Sequence, residues 1–143
     1  MTYPNKRALS KYGKVAAHSE GDYASPHRLV QMLMEGVLDK VATAKGCILR
    51  QDLAGKSEHI TWATTILNGL RASIDLERGG EIAANLDDLY SYMLQRLIDA
   101  NVANATDPLD EIISLMGEVK GAWDVMPDHI RNVAPTELET SRA

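Results

Sequence analysis

Phenylalanine is absent from this 143-residue chain, and Tyr and Trp bring the aromatic share to only 5%. Any core must therefore be aliphatic, drawn from Leu, Ile, Val, Met and Ala; that set suits helix-on-helix packing, and strand signals are correspondingly weak. Cysteine is nearly missing too. Cys47 stands alone, so no disulfide can form within the chain and nothing points to an oxidising compartment. No stretch approaches the ~18 consecutive apolar residues of a membrane span. Met1 to Lys14 lacks the apolar run and small-residue cleavage site of a secretory signal. The expected setting is the cytoplasm, without stable membrane insertion. A basic surplus is also lacking: the formal net charge is −5, which argues against nucleic acid as a partner because phosphate neutralisation needs a basic face. The small basic stretch of Lys6, Arg7, Lys11 and Lys14 reads as a solvated arm.

Catalytic patterns are missing as well. Di-metal helical bundles use Glu-x-x-His pairs, because side chains three apart on a helix converge on one core metal, and no such pair occurs. His18, His27, His59 and His129 fall in the arm, near helix starts and in the tail. There is no Gly-x-Ser-x-Gly elbow and no glycine-rich phosphate loop. Cys47 sits beside Ile48 in a helical pattern, where an inert, packed thiol is the common case. The expectation is a protein that is not an enzyme and needs no cofactor or metal.

What the chain does have is four amphipathic segments with clear punctuation. Ser25-Pro26 opens the first with an N-cap hydroxyl and a proline at a position whose N–H would have no partner. Leu29, Leu33, Val37, Val41, Ala44 and Ile48 then recur every three or four residues, and the pattern stops around Leu53-Ala54-Gly55-Lys56. A second helix is predicted from Ser57, with the stripe Ile60, Ala63, Leu67, Leu70 and Ile74, closed by Gly79-Gly80. The third runs from about Glu81 through Ile82, Leu86, Leu89, Met93, Leu97 and Ala100 to Asn101–Asn104. Asp107-Pro108 caps a fourth, with Leu109, Ile112, Met116, Val119 and Trp123, halting before Pro127.

Short connections between long helices favour antiparallel neighbours. The expected fold is all-α: an up-down-up-down four-helix bundle over residues 25–127, preceded by a partly ordered N-terminal arm (1–24) and followed by a short C-terminal tail or helix (128–143). A helical hairpin that completes its core by dimerising is the alternative. Met32, Met34, Ile66, Tyr90, Leu94 and Ile113 lie beside the main stripes and widen the apolar faces. A wide core or a dimer accounts for them; so do grooves that accept a partner's helix, a mode in which methionine tolerates imperfect fit. Tyr12, Val15 and Tyr23 interrupt the polar arm, either to anchor a terminus or to form a detachable cover over a groove.

Several blocks resemble a known family. Tyr23-Ala24-Ser25-Pro26-His27-Arg28-Leu29-Val30-Gln31-Met32-Leu33 is similar to the Ser-Pro opening of the first helix in the FliS family. Leu76-Glu77-Arg78-Gly79-Gly80-Glu81-Ile82-Ala83-Ala84-Asn85-Leu86, with Asp88-Leu89-Tyr90-Ser91-Tyr92-Met93 and Arg96-Leu97, resembles that family's most recognisable block. Tyr12-Gly13-Lys14-Val15 and Ala122-Trp123 also fit, and the likeness runs over about residues 8–127 in order. Met34-Glu35-Gly36-Val37 departs from it, since the family more often has an aromatic followed by Asp-Gly-Ala.

The resemblance implies a flagellin-specific export chaperone. Such a protein binds the disordered C-terminal segment of flagellin, prevents premature polymerisation and assists delivery to the flagellar type III export gate. Flagellar regulators are further expected partners, and the expected state is a monomer or weak homodimer. The partner-binding residues expected on this basis are Tyr12 and Val15 in the displaceable arm and Ile82, Asn85, Leu86, Leu89, Tyr90 and Met93 on the third helix. Some of the latter serve the core only, and Asn85 either bonds a client backbone or is merely solvated.

Overall fold

A computed structural model describes residues 25–126; Tyr12, Val15 and the rest of the arm, and the tail from residue 127, lie outside the described residues. Within them are four helices and no strand: α1 (Pro26–Leu49), α2 (Leu53–Ala72), α3 (Leu76–Ala103) and α4 (Asp107–Asp124). Three-residue connections leave each helix antiparallel to the one before it. Each packs on two neighbours, so α1, α2, α3 and α4 close into a ring, and the bundle is the expected up-down-up-down form. The α1–α2 pair is the most closely packed and the α3–α4 pair the least.

The caps follow local chemistry. Ser25 is extended (φ −65°, ψ 158°) and its hydroxyl accepts from the Arg28 N–H at 3.0 Å, with Pro26 in the first helical turn. The second helix starts four residues before the expected Ser57. Asp52 caps it, accepting from the Gly55 N–H at 3.0 Å. Gly55 reads as a breaker in sequence, yet here it answers a close approach: a Cβ there would lie 2.3 Å from Asp52 Oδ2 and 2.9 Å from Cys47 Sγ. The turn from α1 is made by Gln51 at φ 61°.

Gly79-Gly80 does not close α2, which ends at Ala72; the pair lies inside α3. Asp75 accepts from the Glu77 and Arg78 N–H groups and starts a single turn. Gly80 (φ 60°, ψ −140°) then interrupts it, and the continuous helix runs from about Glu81 as its sequence predicts. Asn104, in the left-handed region at φ 50°, ends α3. At the head of α4, Asp107 is the first helical residue rather than the cap. Thr106 holds the cap position without a side-chain bond, and Asp107 and Asp110 place negative charge at the positive end of the helix dipole.

The core is aliphatic but for one phenol. Met34, Val37 and Val41 of α1, Ile66, Leu67 and Leu70 of α2, Tyr90, Met93 and Leu97 of α3, and Leu109, Ile112 and Met116 of α4 are all essentially closed to solvent. Burial on that scale contributes about 1.5–3 kcal/mol per large side chain. Met34, Ile66 and Tyr90, three of the residues that widen the stripes in sequence, are therefore core residues, and Leu94 and Ile113 are half-buried against it. Most of the apolar surplus is absorbed by the four-helix core itself.

Candidate functional site

The third-helix residues expected to bind a partner divide into two sets. Tyr90 and Met93 are 1% and 0% exposed and belong to the bundle core. Ile82 is 66% exposed, Asn85 is exposed, and Leu86 and Leu89 are half-buried at the edge of the core. Helical phase explains the division. Tyr90, Met93 and Leu97 recur at three and four and point to the bundle axis, whereas Ile82, Asn85 and Leu89 share a ridge turned to one side.

That side faces α4. Tyr92 Oη donates to Glu111 Oε1 at 2.6 Å, and Arg96 Nε donates to the same oxygen at 2.8 Å while its Nη1 reaches Asp99 at 3.1 Å. Tyr92 and Arg96 stand on the same ridge as Asn85 and Leu89, and Glu111 stands on the ridge of α4 that carries Leu115, Glu118 and Ala122. Antiparallel helices rise equally, so this bridge sets the register: Leu89 falls beside Leu115, Leu86 beside Val119, and Ile82 towards Ala122. Leu86, Leu89, Leu115 and Val119 are all half-buried against the core. These four side chains form a partly exposed apolar seam between the two most loosely packed neighbours, crossed by the bridge at one end, with the exposed Ile82 towards the other.

The bridge is electrostatically settled. The Tyr92 hydroxyl, and then the Arg96 guanidinium, hold the Glu111 carboxyl below the ordinary range, while the hydrogen bond to Glu111 pushes the Tyr92 phenol up. Both effects keep Glu111 an acceptor and Tyr92 a donor around neutrality. A separate apolar strip, Leu94 with the exposed Ile98 and Val102, lies on the opposite flank of α3 towards α2.

Three features were not foreseen from sequence. His27, placed there near a helix start, is 2% exposed and stacks on Trp123 with ring centroids 5.0 Å apart and planes within 5°. Its Nε2 meets the Trp123 carbonyl at 2.7 Å, and Trp123 Nε1–H donates to the His27 carbonyl at 2.9 Å. Beside it, Gln31 and Lys120 both donate to Asp124 and draw its carboxyl below the ordinary range. This clamp ties the first turn of α1 to the last turn of α4. At the other end Lys56 is 5% exposed and donates to the Asn101 carbonyl at 2.9 Å and to the Asn104 side chain, so a lysine buried on α2 caps α3. On α1, Lys40 lies 3.7 Å over the Trp62 ring. Pairings of residues from 22 to 96 apart leave no local trace in a periodicity.

Among the described residues no group of His, Cys, Asp and Glu could hold a metal, and no helix is long and apolar enough to cross a membrane. Cys47 is buried, with the Arg50 guanidinium 3.7 Å from its sulfur.

Comparison with known proteins gives a consistent picture. The family model described as flagellar protein FliS matches residues 8–129. A flagellar secretion chaperone FliSB of Pseudomonas aeruginosa is 45% identical over 118 residues, covering 82% of this chain and 94% of its own. The flagellar secretion chaperone FliS of Vibrio cholerae is 36% identical over 131 residues, covering 92% and 96%. That of Salmonella typhimurium is 37% identical over 116 residues, covering 80% and 86%.

Proposed function

The chain belongs to the FliS family of flagellar proteins, and from that premise we propose that it is a flagellar secretion chaperone whose client is the disordered C-terminal segment of flagellin. It binds that segment in the cytoplasm, keeps it from polymerising prematurely and assists its delivery to the flagellar type III export gate. It acts by binding alone, without catalysis or a cofactor.

The observation that carries this reading is the apolar edge that α3 leaves open on its α4 side: Ile82 is exposed, Leu86 and Leu89 are only half-buried, and the bundle does not need Ile82 in its core. A helix-forming client that lays an apolar stripe along that edge hides the surface that would otherwise self-associate. The exposed Asn85 supplies an amide for a client backbone. Tyr12 and Val15 belong to the same reading as a displaceable cover contributed by the arm.

Ordering a disordered segment costs several kcal/mol, so contact must extend well beyond one edge, to roughly 1,000–3,000 Å². The test is a calorimetric titration of the full chain with the flagellin C-terminal segment, alongside a sizing column. One-to-one binding with a large negative heat-capacity change and a gain in helix is expected. No binding at high micromolar concentration, by a folded chain, rules the client out, and a stable dimer on the column redirects the exposed apolar residues to self-association.

A further inference from the structure

We propose that Asn68-Gly69 is a site of spontaneous covalent modification, at which the Asn68 side chain loses ammonia through a cyclic imide when the corner between α2 and α3 opens.

The chemistry starts from the pair itself. Asn68 is the only asparagine of the chain followed by glycine; the others precede Lys6, Leu86, Val102, Ala105 and Val133. With no side chain on Gly69, its nitrogen is open to the Asn68 Cγ. A bond forms between Gly69 N and Asn68 Cγ, the Cγ–Nδ2 bond breaks, and ammonia leaves. Water then opens the imide at either carbonyl and yields aspartate or isoaspartate at position 68. Water is the only co-reactant.

The fold holds this reaction back. Both residues lie within α2 and are half-buried. In a helix the Gly69 N–H is committed to the carbonyl four residues before it, and the helical backbone keeps Asn68 Cγ off the line of attack. The step therefore waits on loss of the last turns of α2.

That end of the helix is where such a loss costs least. Leu70 is 1% exposed and Ala83 8%, yet no residue from Arg71 to Ile82 is buried. Ile74 is the one hydrophobic side chain of that run packed against the core. Gly80, at φ 60°, interrupts the backbone after the first turn of α3. Ser73 closes α2 with bonds near the surface, its N–H donating to the Gly69 carbonyl at 3.1 Å and its hydroxyl to the Leu70 carbonyl at 2.7 Å. Few buried apolar contacts and exposed backbone hydrogen bonds are the marks of a segment that opens locally, without global unfolding. Asn68-Gly69 stands directly before that segment.

The products would not fit back. Thr64, Asn68 and Arg71 follow at spacings of four and three and share one flank of α2, from which Arg71 Nε reaches Asp87 of α3 at 2.7 Å. An aspartate at 68 stands one turn from Arg71 and competes with Asp87 for it. Isoaspartate adds a main-chain carbon that the helical hydrogen-bond pattern cannot absorb. Either change loosens the join between α2 and α3, and neither reverses by itself.

The full chain is incubated in mildly alkaline buffer, with and without denaturing urea, and peptide mass mapping follows conversion and separates aspartate from isoaspartate. Conversion is expected at Asn68 ahead of every other asparagine, and at least about tenfold more slowly in the folded chain than in urea. Urea added in steps below the unfolding transition should leave the folded-chain rate nearly flat, the sign of local opening. A rate that climbs steeply from the first addition means that only global unfolding frees the pair, and overturns the proposal. Ser73→Ala removes the hydroxyl bond to Leu70 and should speed folded-chain conversion severalfold while leaving the rate in urea unchanged. Asn68→Gln should abolish the modification at that position. Earlier conversion at another asparagine, equal rates in the folded and unfolded chain, a folded-chain rate indifferent to Ser73→Ala, or no folded-chain conversion on prolonged incubation also overturns it.

Discussion

Two tyrosines two residues apart on α3 have opposite duties, and single substitutions should separate them. Tyr90 is 1% exposed among Met93, Leu97 and Ile112, and burial drives its phenol far above the ordinary value, so it is neutral wherever the protein is folded. Tyr90→Asp places a carboxylate in that core and removes a large side chain. Losing an aromatic there costs about 3–5 kcal/mol before the charge is counted, so a collapse of the cooperative thermal transition is expected, not a folded chain with weakened binding. Tyr92 is 44% exposed and bonds Glu111. Tyr92→Phe should leave the helical spectrum intact and raise the Glu111 pKa towards its ordinary value, as read from the carboxyl carbon shift. Because Glu111 is held below its ordinary range in the folded chain, its bridge contributes stability above the unfolded-state pKa of about 4.3. That contribution is lost as pH falls through the lower folded value, so wild type and Tyr92→Phe should converge in midpoint as the pH drops below the ordinary carboxylate range.

At the scale of the helix, the glycines divide by what surrounds them. Gly117 and Gly121 lie on the exposed face of α4 with open space where a Cβ would be. Replacing either with Ala should stabilise the chain by about 0.5–1 kcal/mol, read from denaturant midpoints. Gly80 also has open space, but its φ of 60° is a backbone L side chains rarely adopt, so Gly80→Ala should cost about 1–2 kcal/mol. The clamp between α1 and α4 has a comparable signature. His27→Ala removes a buried hydrogen bond and a ring stack and should cost about 2–3 kcal/mol. His27→Gln, which can still donate to the Trp123 carbonyl, should recover part of that loss.

Across the whole molecule, the least packed edge of the ring coincides with the most acidic half of the chain. Trp123, in the last turn of α4, holds His27 at the start of α1 and is a natural reporter for the client proposed to dock at that edge. Only two tryptophans are present, so in a Trp62→Phe variant the emission reports Trp123 alone. Occupancy of that edge by the flagellin segment should shift that emission, and Ile82→Ser should reduce both the shift and the affinity together. An unchanged spectrum at saturation would place the client elsewhere on the bundle, for instance along Leu94 and Ile98.

Helix number, helix type and antiparallel order were legible in the sequence because each helix carries its own stripe and at least one capping residue, signals that act over three or four residues. Ser25-Pro26 and Asn104 mark ends that hold in the folded chain. Gly55 and Gly79-Gly80 misled, because a glycine marks a place where a side chain is excluded, and only the neighbours tell why. Gly55 yields to Asp52 and Cys47 across a tight turn, and Gly80 to a positive φ inside α3. Periodicity also identified the apolar residues of α3 without sorting them. Ile82 and Tyr90 both widen the apolar face of α3 in the sequence, yet they are 66% and 1% exposed once the four helices pack. The His27–Trp123 clamp and the Lys56 cap depend likewise on contacts between distant residues. The sequence by itself determined the four helices, their order and the family. Tertiary packing alone decided which apolar residues became core and which stayed exposed, since burial belongs to a pair of facing surfaces and not to either helix.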